Sequence, residues 1–122
     1  MRITGPDDFR IMYVDADGPL IRTTDDALDL IGATWGENIT LIAVPADRLD
    51  PEFWQLRSQL AGDVLQKFVN YEKKVAILGD IEAHLEASQA LRDFVWESNR
   101  GEHVWFLPDE EALEQRIVSG RK

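Results

Sequence analysis

Cysteine is missing from this chain altogether. Disulfides, thiolate nucleophiles and cysteine-bound zinc are excluded with it. Such a composition suits a reducing compartment, and residues 1–8 contain no apolar run of signal-peptide length. No stretch approaches the ~20 apolar residues needed to span a bilayer. The expected location is the cytoplasm. Positive charge is also scarce: 13 lysines and arginines stand against 23 aspartates and glutamates, a net charge of −10. A field of that sign repels phosphate backbones and anionic lipid heads, so neither nucleic acid nor membrane is an expected partner.

Histidine occurs only at His84, on an expected polar connection, and at His103, at the start of an expected strand. Two isolated imidazoles make no metal site. Clustered glycines of the kind that cradle phosphate are lacking, and no serine stands in a familiar arrangement with a histidine. The carboxylate pairs Asp7-Asp8, Asp25-Asp26 and Glu110-Glu111 read as solvated surface. No cofactor and no catalytic residue is expected.

The 122 residues, 44% of them apolar, suffice for one domain over 1–122 with a core that needs no covalent staple. Residues 10–15 are β-rich and run into the turn pair Asp17-Gly18, from which 20–23 can return as a hairpin strand. Thr24 or Asp25 then offers a cap for a helix carrying Ala27, Leu28, Leu30, Ile31 and Trp35. The continuous apolar run 39–44 reads as a central strand, stopped by Pro45. Asp50-Pro51 opens a helical turn. In the long helix 58–71, Leu60, Val64, Leu65, Phe68 and Val69 recur at helical spacing.

A buried strand follows at 74–80, then a helix capped by Ser88 and stopped by Gly101. The strand 103–107 and an acidic-started helix after Pro108 complete the chain. Strands alternating with helices predict an α/β fold: a mostly parallel mixed sheet of about five strands with about four helices.

The run 60–71 (Leu-Ala-Gly-Asp-Val-Leu-Gln-Lys-Phe-Val-Asn-Tyr), followed by Lys-Val-Ala-Ile-Leu-Gly-Asp at 74–80, resembles the bacterial DUF4180 family. So do Ser-Gln-Ala-Leu-Arg-Asp-Phe at 88–94 and Glu-Ser-Asn-Arg-Gly at 97–101. That family is a domain of unknown function and implies no activity. The element order is also similar to the STAS, or anti-sigma-factor-antagonist, fold. There a loop reading Asp-Ser-Ser-Gly-Leu enters a helix and its second serine is a phosphorylated switch. Laying Leu60 on that leucine puts Ser58 on the switch serine, with Leu56, Arg57 and Gln59 replacing the aspartate, first serine and glycine.

These features make a non-enzymatic regulatory or protein-interaction module the leading expectation. A partner, or a second copy of the chain, would meet the loop and helix start at Ser58, Gln59 and Gly62. Trp96 sits beside the apolar stripe of its helix and is the candidate exposed aromatic. Trp35 and Trp54 are expected to close the ends of the core. The alternative is a small-molecule domain with a pocket at the carboxyl ends of the strands, near Val44, Asp80 and Leu107. Asn70, Asp80 and Glu97 are its candidate polar groups, and would be the catalytic ones were the chain an enzyme.

Overall fold

Two short water-avoiding runs lie side by side and in the same direction at the centre of the protein. A computed structural model describes residues 1–120. Strand β3 (Leu41–Pro45) pairs in parallel with β4 (Lys74–Leu78), with Leu41 opposite Lys74 and Pro45 opposite Leu78. Strand β2 (Ile11–Tyr13) flanks β3, and β5 (Val104–Leu107) flanks β4, both in parallel. A fifth strand, β1 (Arg2–Thr4), runs antiparallel along β2, so the spatial order is β1-β2-β3-β4-β5.

Side chains alternate across a strand, and each face of this sheet therefore has its own core. Met12, Ile42, Val44, Val75, Ile77 and Phe106 point to one face. Three crossover helices lie there: α1 (Thr24–Gly32), α2 (Leu60–Asn70) and α4 (Gln89–Arg100). Crossovers of one hand between neighbouring parallel strands put every helix on the same side. Phe53 and Phe68 are fully buried in this layer. Each contributes about 1.5–3 kcal/mol by burial. Ile11, Tyr13, Leu41, Ala43, Ala76 and Trp105 point the other way, where Leu113 of α5 (Glu110–Gly120) packs on them.

Three expectations need correction. The hairpin of 10–15 with 20–23 does not form. Arg48 donates to the carbonyls of Asp15 (2.7 Å) and Pro19 (2.8 Å), and Ile21 forms a parallel bridge to Leu49. Burying Ile21 and Leu49 together outweighs the local turn signal, and Arg2–Thr4 becomes the antiparallel partner instead. Trp35 is 76% exposed, whereas Trp54 is 5% exposed and belongs to the core. Helix α1 unwinds after Gly32, and Thr34 turns inward in place of Trp35, its hydroxyl donating to the Ile31 carbonyl at 2.6 Å.

The connection around His84 is a short helix, α3 (Glu82–Ala87), which brings the α-helices among the described residues to five. His84 stacks on Trp54, with centroids 4.8 Å apart and planes 11° apart. One cap differs in detail and another is as expected. Thr23, rather than Thr24 or Asp25, caps α1, forming a capping box with Asp26. Ser88 caps α4 through the Leu91 N–H at 3.1 Å, as its position predicts.

Candidate functional site

Between β3 and α2 the chain makes a 3-10 turn at Ala46–Arg48 and a second at Pro51–Trp54, where the Asp50 carboxylate accepts the Glu52 N–H at 2.9 Å. A third such turn, Leu56–Ser58, leads to Gln59. Gln59 sits in the left-handed region at φ 67°, a conformation that costs a side-chain-bearing residue energy. Ser58 braces it from behind: its Oγ donates to the Glu52 carbonyl (2.9 Å) and accepts the Leu60 N–H (3.2 Å). The Gln59 side chain makes no capping bond to α2.

Ser58, Gln59 and Gly62 are all exposed on this braced corner. A Cβ added at Gly62 would meet nothing within 4 Å. Glycine in a helix is less stable than alanine by about 0.5–1 kcal/mol, and internal packing gives no reason for it at this position.

The other candidate polar residues divide between the two ends of the sheet. Asn70 ends α2 ahead of β4, where its side-chain oxygen accepts from Gln66 Nε2 at 2.8 Å. Asp80 follows β4 at the other end, and its carboxylate accepts the Glu82 N–H at 3.0 Å to start α3. Glu97 lies in the last turns of α4, which leads back to the end where Asn70 sits. Asn70 and Asp80 thus cannot meet across one substrate. Asp80 does line a cleft of about 460 Å³ at the carboxyl ends of β4 and β5, with Gly79, Ile81, Leu85, Asn99 and Leu107.

Trp96 is 60% exposed, and the Arg100 guanidinium lies over its ring, 4.6 Å from the centroid. Arg100 also pairs with Glu97 at 3.7 Å, so the structure links Trp96 and Glu97 through one cation on the outer face of α4.

Two acidic groups depart from their ordinary titration. The Arg22 N–H, helped by Thr23, holds the Asp26 carboxyl below the usual carboxylate range. Burial, reinforced by Glu110 and Glu114, pushes the Tyr13 phenol up against the opposing effect of Arg2. Arg2 lies over the Tyr13 ring, 4.3 Å from its centroid, and pairs with Glu110. The Tyr13 hydroxyl itself is buried and has no hydrogen-bond partner at good geometry among the described residues. No group of three or more histidine, aspartate or glutamate side chains able to hold a metal ion occurs among the described residues. Nor is any described helix long and apolar enough to cross a membrane.

Residues 7–117 match the family described as a domain of unknown function, DUF4180. The chain belongs to that family. No curated protein and no solved structure matches it.

Beyond the expected residues, this DUF4180 domain brings together others that sequence reasoning missed. Asn99 joins α4 to β5. Lys74, Arg100 and Arg116 gather around Trp105 at the end of the sheet where β4 and β5 begin. These residues come from β4, α4, β5 and α5, and no spacing along the chain announces the grouping. Only the uncommon basic character of Arg116, in an otherwise acidic last helix, could have drawn notice.

Proposed function

We propose that this DUF4180 domain is a non-enzymatic protein-interaction module that docks a partner through the corner at Ser58, Gln59 and Gly62. The observation that carries the reading is the exposed left-handed Gln59, held in place by Ser58. Strain kept on a solvated, braced corner is spent on presenting a surface, since the core gains nothing from it. Gly62 supports the same reading, because a bare backbone one turn on lets a partner approach closely.

The separation of Asn70 from Asp80 turns the reading from acid–base chemistry to docking. A STAS-like fold is part of the proposal. One antiparallel strand beside a parallel run, with all crossover helices on one face, supports it. So does Gln59, since the position that the STAS loop gives to glycine adopts a glycine-favoured conformation here. The proposed setting is the cytoplasm.

The test is capture on immobilised domain from native extract with chemical crosslinking, comparing wild type with Gly62→Gln. A stoichiometric partner held by wild type and lost with the folded variant is the expected result. Equal capture by both would overturn the reading.

The Asp80 cleft favours a second reading, a small-molecule site at the carboxyl ends of the strands. A metabolite that raises the melting temperature of wild type but not of Asp80→Ala is its expected signature. A flat response across a broad library would remove it.

A further inference from the structure

At the end of the sheet opposite the docking corner, α5 and the starts of β4 and β5 line a half-open cavity of about 310 Å³. Lys74, Arg100 and Arg116 line it with a single carboxylate, Glu102. Three cations against one anion is a local charge of opposite sign to the −10 of the whole chain. Neither Lys74 nor Arg116 forms an ion pair with any described carboxylate, and Arg100 has only the exposed Glu97 at 3.7 Å.

Backbone carbonyls hold these cations in place. Lys74 Nζ donates to Glu102 O at 2.7 Å, while Arg116 Nη2 donates to Asn99 O and to Gly101 O, the latter at 3.2 Å. An ammonium has three donors and a guanidinium five, so both groups keep donors for a ligand. The rest of the lining is apolar and aromatic: Phe9, Ile117 and Trp105. The Trp105 indole N–H is fixed to Gly101 O at 2.9 Å, and the Arg116 guanidinium lies over its ring at 4.7 Å.

We infer that this cavity binds a small organic carboxylate with a single aromatic ring. The volume lies at the low end for ligand sites and suits a ligand of one ring. Guanidinium forks match a planar carboxylate with two parallel hydrogen bonds. A monoanion is also repelled less than a phosphate dianion by the net charge of the domain. The ring would lie against Phe9 and Ile117, with its carboxylate between Lys74 and Arg116, while the Arg100 guanidinium stays over Trp96 at the rim.

The test is nuclear magnetic resonance titration of the ¹⁵N-labelled full chain with benzoate in the millimolar range. The Trp105 indole N–H, assigned through Trp105→Phe, is the reporter, and benzyl alcohol is the uncharged control. Benzoate should shift that signal saturably, and added salt should weaken binding. Lys74→Gln and Arg116→Gln should each reduce affinity about tenfold, the worth of one charge-assisted hydrogen bond. Arg57→Gln, at the other end of the sheet, should leave it unchanged. If Lys74 and Arg116 serve only to neutralise the carbonyls at 99–102, benzoate will give no saturable shift. That outcome, equal shifts with benzyl alcohol, or unchanged affinity in both Lys74→Gln and Arg116→Gln would overturn the inference.

Discussion

The side chain of Asn99 makes both backbone hydrogen bonds of Phe106: its Nδ2 donates to the carbonyl at 3.2 Å and its Oδ1 accepts the N–H at 2.7 Å. Strand β5 is the last in the sheet, and those two groups face outward where a sixth strand would pair. A carboxamide mimics the missing strand for one residue and blunts an edge open to self-association. Asn99→Ala should lower stability by about 1–2 kcal/mol, measured by urea unfolding. It should also increase self-association, measured by light scattering. A variant as stable and as monomeric as wild type would show that solvent serves that edge equally well.

The Tyr13 hydroxyl is buried with no well-aligned hydrogen-bond partner among the described residues, so its removal strands none of them. Tyr13→Phe should keep stability within about 0.5 kcal/mol of wild type at neutral pH. The two should part in alkali. The folded state raises the phenol above its usual value, so its proton is held more tightly when folded. That stabilisation is complete below the unfolded value of about 10 and is lost as pH rises through the folded one. Wild type should therefore lose stability above pH ~10 more steeply than Tyr13→Phe. Parallel curves in chemical unfolding would contradict this account of the site.

Asp26 closes the capping box of α1, accepting N–H bonds from Arg22 at 2.8 Å and Thr23 at 3.1 Å. Asp26→Ala should cost about 0.5–2 kcal/mol near neutrality. Because the folded state lowers the carboxyl's titration, its contribution is present above the unfolded value of about 4. It is lost as pH falls through the depressed folded value, so the curves of wild type and variant should converge in acid. A difference independent of pH would assign the loss to packing instead.

Gly62 separates stability from function. With open space where a Cβ would stand, Gly62→Ala should raise stability by about 0.5–1 kcal/mol. The same methyl should weaken partner capture by filling the close-approach site. Thermal unfolding and crosslinked capture on one preparation would check both. Stability and capture rising together would contradict the docking role.

The legible part of this fold is the part governed by local pattern. The runs 41–44 of β3 and 75–78 of β4 are apolar because both of their faces are covered, and the stripe of α2 faces the sheet at helical spacing. Asp17-Gly18 misled because a turn signal has no means of registering Arg48, some thirty residues on, which ties 15–19 to the α2 side of the sheet. Trp35 misled by size: the helix ended at Gly32, three residues before it, and the small Thr34 took the inward place. Of the candidate site residues, Ser58 and Gln59 were findable from the resemblance around Leu60. The left-handed backbone of Gln59 was not, since glutamine carries no preference for it. Asn99 and Arg116 acquire their roles only when α4, β5 and α5 converge.

The docking corner is tested most directly by photo-crosslinking from single positions within cells. A photoreactive residue at position 59 and another at position 37, on the opposite end of the sheet, would be compared at equal expression. The expected result is one discrete adduct from position 59, the same protein in every repeat, and none from position 37. Adducts of equal yield from the two positions, or none from position 59 in a folded protein, would contradict the claim that this corner engages a partner.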